Sequence, residues 1–253
     1  VKLRILLLLG LPVALILLVV YIGARAAATP AAPAPPEDFS GVWLPDGRHS
    51  TRLPQQWPLT PAARDAQASY AAKYEPIDPT VDDPNVSCVP ESFPYSMRLI
   101  AQYPFEIVMT PGQVTMLFEV YGGVRRIHLD GRPPPPELLP SAMGYSQGHW
   151  EGRTLVVETT HVKTQGAGPF SGSPPASMAR RFIERISLGS DAQGRKQLSD
   201  EISIHDPASL TEPVSIKMLY KWSPDVEVGE YLCEQDIWDQ NLQGNPSSVP
   251  WRH

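Results

Sequence analysis

VSIKMLYKW, residues 214–222, decides the fold. Val214, Ile216, Met218, Tyr220 and Trp222 alternate with Ser215, Lys217, Leu219 and Lys221. A period of two places the first set on one face of an extended chain and the second on the other, as in a half-buried strand. Upstream, the same reading gives candidate strands MRLIAQ (97–102), FEIVMT (105–110), QVTMLFEV (113–120), RRIHL (125–129), TLVVETT (154–160), RFIERISL (181–188) and QLSDEISI (197–204). Downstream it gives GEYLCEQDI (229–237). Turn-forming pairs separate these runs at Pro111-Gly112, Gly122-Gly123, Asp130-Gly131 and Glu151-Gly152, and again around Gly194. Most of the intervals are too short for parallel crossovers, so sequential antiparallel strands are expected, with closure protecting their edges. The predicted class is all-β: an antiparallel β-barrel or a strongly curved β-sandwich.

Outside the strands, Thr60-Pro61 followed by AARDAQASYAAKY (62–74) predicts a short outer helix, with Thr as cap and Pro in the first turn. Pro133 to Met143, which opens with four consecutive prolines, predicts an extended surface loop. Residues 243–253 read as an irregular tail that Trp251 could dock. Of the 253 residues, 29 are Pro and 18 Gly, which disfavours long-helix bundles and strand–helix repeats. At 42% hydrophobic and 19% charged, the chain can bury one sizeable core.

The amino end differs from the rest. Lys2 and Arg4 precede an apolar run, Ile5 to Ala24, of 20 residues. As a helix it would span about 30 Å, enough for a hydrocarbon core. Ala24-Arg25-Ala26 also has the small-x-small form of a signal-peptidase site. Residues 1–26 are therefore expected to be a transmembrane anchor or a cleaved signal, and the length of the run favours the anchor. Either way the preceding charge favours a cytoplasmic amino end, with the remainder on the opposite side. Residues 27–38 read as an Ala/Pro-rich tether and 39–242 as an extracytoplasmic β-domain. Past residue 26 the chain carries 18 Lys and Arg against 27 Asp and Glu, net −9, which disfavours nucleic-acid partners.

Cys88 and Cys233 could form one structural disulfide in an oxidising compartment, worth about 4 to 5 kcal/mol by loop entropy. Two separately buried thiols are the alternative. No Cys-x-x-Cys pair points to redox catalysis.

Gly144-Tyr145-Ser146-Gln147-Gly148 formally matches a nucleophile elbow, yet a Pro-rich loop precedes it and a turn leading to a strand follows. No catalytic set is favoured. If there is one, Ser146 would be the nucleophile, His149 or His205 the base and Asp206 the orienting acid. His128, His149, His161 and His205, with Asp130, Glu158, Glu184 or Glu234, lack the short spacing of a zinc site, so no metal is favoured. Arg125, Arg126, Glu158 and Glu184 either form a polar network inside a barrel or face solvent, and any of them that is buried needs a partner. Trp150, Trp222 and Trp238 read first as core or interface aromatics and second as pocket walls. There is no P-loop, dinucleotide fingerprint or haem attachment motif, and no cofactor is expected.

The segments RRIHLDGRPPP (125–135), GYSQGHWEGRTLVVETT (144–160), IHDPASLTEP (204–213) and YLCEQD (231–236) resemble a widespread family of secreted or periplasmic bacterial proteins without an assigned activity. The resemblance runs from about Asp38 to Asp236. It implies an extracytoplasmic β-domain and supplies no mechanism. The family motif more usually carries His where Tyr145 stands and Asp where Arg153 stands, departures that suit a domain recruited to a structural role. The expected function is therefore a membrane-anchored periplasmic accessory or structural subunit of a larger bacterial membrane complex, respiratory or photosynthetic for example. Its partners would be integral membrane subunits and, through residues 5–24, the lipid bilayer of the inner membrane. The alternative is a protein cleaved near Ala26, soluble in the periplasm or secreted, that acts as an enzyme or small-ligand-binding protein through the 144–151 loop at a barrel opening.

Overall fold

A computed structural model describes residues 35–51, 53–54, 56–74, 90, 92–98, 103–163 and 174–231. Its strands are β1 (Gly41–Pro45), β2 (Phe105–Thr110), β3 (Gln113–Phe118), β4 (Val124–His128), β5 (Tyr145–Glu151), β6 (Thr154–Thr160), β7 (Arg181–Ser190), β8 (Lys196–His205) and β9 (Val214–Trp222). They close in sequence order into one barrel. The seam is the β1–β9 pair, where Trp43 faces Trp222 and Pro45 faces Tyr220.

Period-two patterning accounts for most of this barrel. β2, β6 and β9 coincide with the runs read from sequence, and β3, β4, β7 and β8 differ from them only at their ends. Inward parity brings Phe105 and Ile107, Val114, Met116 and Phe118, Phe182 and Ile186, and Ile202 and Ile204 into a single core. In β9, Val214, Ile216, Met218 and Tyr220 point inward as expected, but Trp222 at the strand end is 44% exposed. The helix α1 (Pro61–Tyr74) forms where predicted, and the Thr60 hydroxyl accepts the Ala63 N–H at 3.2 Å.

Four expectations need correction. The barrel is not wholly antiparallel, because β4 and β5 pair in parallel through Ile127–Ser146 and His128–Gln147. Residues 145–151, read as loop and turn, form β5; its inward positions include Ser146 and Gly148, so it shows no apolar period. MRLIAQ opens in the short helix α2 (Tyr95–Arg98) rather than in a strand. Gly229 to Tyr231, the described part of GEYLCEQDI, is not in a strand. Conversely GVWLP, short and bounded by Gly and Pro, carries too little period to be read from sequence, yet it closes the barrel as β1.

Among the described residues no helix is long and apolar enough to cross a membrane. The apolar run 5–24, both cysteines, Trp238, Trp251, Glu234 and the tail 243–253 lie outside them.

Strand directions place the β2–β3, β5–β6 and β7–β8 turns at the barrel end where β1 begins and β9 finishes. The chain enters there. Phe39 is fully buried against Trp150, with ring centroids 5.4 Å apart, and its carbonyl accepts the Trp43 indole N–H at 2.8 Å. Just before it, Glu37 pairs with Arg153 in the β5–β6 turn. Towards the opposite end, the 92–98 segment packs on the β4–β5 connection, where the Phe93 N–H donates to the Ala142 carbonyl at 2.8 Å, and on the chain leaving β6, where the Ser92 hydroxyl donates to the Lys163 carbonyl at 2.9 Å.

Candidate functional site: a polar cluster inside the barrel

Three charged side chains occupy apolar-parity positions. Arg125 shares its strand face with Ile127, Glu184 lies between Phe182 and Ile186, and Asp200 lies between Leu198 and Ile202. All three are at most 1% exposed. Burying a charge is tolerable only with partners, and Arg125 has them on every nitrogen. Nε donates to the Ser146 hydroxyl at 3.2 Å, Nη1 to Glu184 Oε1 at 2.8 Å and Nη2 to the Thr159 hydroxyl at 2.9 Å. Nη2 also bonds Glu184 Oε2, which makes the ion pair bidentate. The Met97 sulfur lies 3.5 Å from Nη1, and the Phe93 ring sits under the guanidinium with its centroid 4.1 Å from Cζ. The Ser146 and Thr159 hydroxyls bond each other at 2.9 Å. Thus β4, β5, β6, β7 and the α2 segment meet at one cation.

Burial pushes the Arg125 pKa down, but the Glu184 carboxylate more than compensates and holds it above the ordinary value. Asp200 behaves in the opposite sense. Burial, reinforced by the nearby Glu184 charge, raises its carboxyl well above the usual carboxylate range despite Arg125. A side-chain hydrogen bond between Asp200 and Glu184 acts in the same direction, whereas the Tyr220 hydroxyl makes no hydrogen bond among the described residues. Tyr220 is fully buried and raised well above its normal pKa, first by burial and then by Asp200 and Glu184.

The alternative catalytic set does not assemble: only His205 and Asp206 share a cavity, and Ser146 and His149 are engaged elsewhere. Ser146 is inside the barrel and bound to Arg125 and Thr159. His149 is outside and exposed, 3.4 Å from Glu151. His205 bonds Ser203 at 2.9 Å, whereas Asp206 accepts from the Ser177 hydroxyl at 2.7 Å and from Arg180 Nε at 3.0 Å. Burial raises the Asp206 pKa, but Ser177 and Arg180 outweigh it and leave the carboxylate below its usual range.

The histidines are equally scattered. His128 stacks on Tyr145 with centroids 4.9 Å apart, and His161 Nδ1 bonds the Thr160 hydroxyl at 2.9 Å. No group of three or more potential metal ligands occurs among the described residues. Of the four charged residues singled out on strands, Arg125 and Glu184 form the internal pair, while Arg126 is exposed and Glu158 pairs outside with Arg181 at 3.5 Å. Trp150 is a partly buried core neighbour, and Trp222 is half exposed beside Lys196, whose Nζ is 4.9 Å from its ring.

Sequence reasoning missed Asp200 and Tyr220 as members of the cluster. The parity that places Asp200 between Leu198 and Ile202 was the available signal. Two concave surfaces among the described residues are lined by other residues: a cavity of about 330 Å³ by residues including Arg181, His205, Asp206 and Leu210, and a groove of about 350 Å³ that crosses the outside of β7, β8 and β9. Comparison of the chain with models of known protein families finds no match, and comparison with curated proteins finds none either.

Proposed function

We propose that this chain is a membrane-anchored, extracytoplasmic accessory or structural subunit of a larger bacterial membrane complex. The observation that carries the reading is the interior of the barrel. Trp43, Phe93, Phe105, Phe182 and Tyr220 fill it, and every Arg125 nitrogen is spent on the protein's own groups. Such an interior makes a rigid body whose outer faces and loops are its working surface. The apolar run 5–24 and the following tether supply membrane placement.

The test is alkaline carbonate extraction of native membranes, followed by native gel migration of the detergent-solubilised pellet. The reading expects the chain in the pellet and in a species well above 27.9 kDa. Quantitative release as a monomer would refute it.

A second reading, a secreted enzyme or small-ligand-binding protein, draws support from the cavity beside His205, Arg181 and Asp206. It predicts saturable small-molecule binding that His205→Ala abolishes.

A further inference from the structure

The connection between β4 and β5, residues 129–144, carries four consecutive prolines, Pro133 to Pro136, and is tied down on both sides of them. On the near side the Tyr145 hydroxyl donates to the Arg132 and Pro133 carbonyls at 3.0 and 3.2 Å, and the Gln147 amide donates to the Arg132 carbonyl at 2.7 Å. On the far side the Ser141 N–H donates to the His161 carbonyl at 3.0 Å, and the Ser141 carbonyl accepts the Lys163 N–H at 2.7 Å. Between these anchors Pro133, Pro135, Pro136, Glu137 and Leu139 are exposed. Leu139, at 80%, is the most exposed large apolar side chain among the described residues.

The conformation of this segment follows from its prolines. Each ring fixes φ near −65°, and a residue followed by proline is pushed into the extended region. Arg132, Pro133, Pro134 and Pro135 are all followed by proline. Residues 131–135 accordingly form neither helix nor strand, as expected of a polyproline II stretch, which has no internal hydrogen bonds. With about three residues per turn, Pro133 and Pro136 share one edge of that helix. The Leu138 N–H then donates to the Pro135 carbonyl at 3.0 Å, closing a turn with Pro136 in the position proline favours, and Leu139 follows it.

We propose that residues 133–139 are a preformed docking ligand, in which Pro133, Pro136 and Leu139 seat in an aromatic-lined groove of a protein partner. The proposal rests on the accessory-subunit reading and names the chemistry of that partner. Proline offers a carbonyl acceptor and a flat apolar ring but no N–H. The matching groove therefore combines apolar walls with hydrogen-bond donors, which Trp and Tyr provide in one side chain. Exposed Glu137 suits a cation on the rim of that groove. Because the segment is pinned on both sides and its φ angles are fixed, little freedom remains to be lost on binding.

The test compares native-gel migration of detergent-solubilised membranes carrying the wild-type chain or the Pro133→Ala, Pro136→Ala double variant. The variant should remain in the membrane pellet while its share of the larger species falls at least tenfold. An excess of a synthetic peptide of residues 131–140 should release the wild-type chain from that species, whereas the same peptide with both alanines should not. If the variant fails to fold, the peptide alone decides. Failure of the peptide to release the chain, or a folded variant that stays assembled at the wild-type level, would overturn the proposal and leave the accessory-subunit reading standing. Loss of the variant from the membrane itself would assign the loop to lipid and overturn it as well. A wild-type chain that runs as a monomer would remove the accessory-subunit reading and this inference with it.

Discussion

Arg125 joins four strands and a helical segment through one side chain, and the cost of losing it follows from what it leaves behind. Arg125→Met strands Glu184 beside Asp200 in the core, and removing one partner of a buried ion pair typically costs about 3 to 5 kcal/mol. Arg125→Met combined with Glu184→Leu should cost less than Arg125→Met alone, because no uncompensated carboxylate remains; urea unfolding of the three proteins measures the difference. Asp200 carries a pH signature with a definite sign. Its folded pKa is raised, so above about pH 4 the native state holds a proton that the unfolded chain has released. Wild-type stability should therefore fall relative to Asp200→Asn as pH rises, by up to about 1.4 kcal/mol per unit until the folded group ionises. A pH-independent difference between the two would contradict a buried neutral acid. Much of this was legible: Arg125 and Glu184 stand out as charges on strands. Which of Arg125 and Arg126 points inward follows from the parity of Ile127, and the same rule applied to Asp200 exposes the third member of the cluster.

At the scale of elements, the β4–β5 pair is where sequence patterning stops being sufficient. β5 faces the core with Ser146 and Gly148 because there is no room for more: a Cβ on Gly148 would lie 2.8 Å from Ile127 Cγ2 and 3.1 Å from Leu155 Cδ1. With Ser146 and Gly148 on the inward face and only Trp150, near the strand end, adding a large apolar side chain, the strand has too little apolar period to be told from a loop. Gly144 sets its entry. Its φ is +64°, and a Cβ there would lie 2.4 Å from the Thr160 carbonyl oxygen, a backbone atom that cannot step aside. Gly144→Ala should therefore destabilise by more than about 1 kcal/mol, read as a lower thermal midpoint. An unchanged midpoint would mean that this turn is not built as described. The parallel pairing was not legible because it depends on the 129–144 connection running back beside the barrel. There the Tyr145 hydroxyl donates to the Arg132 carbonyl at 3.0 Å and the Gln147 amide donates to the same oxygen at 2.7 Å. These bonds join residues 13 and 15 positions apart, beyond any local periodicity.

The described strands form a closed barrel whose core cation is consumed by internal contacts and into which the chain runs through Phe39. The β-rich class and seven of its strands were readable because alternation and turn residues are local signals. Convergence of the cluster was not, since Arg125 and Glu184 are 59 positions apart and meet only after closure. The central claim concerns assembly, and the apolar run 5–24 makes it testable on the native protein. Intact-mass measurement of the membrane-extracted chain under non-denaturing conditions, repeated after denaturing the same sample, addresses both anchor and partners. The account predicts a reproducible larger assembly that releases a chain retaining residues 1–26. A chain beginning near Ala27 and travelling alone would contradict it.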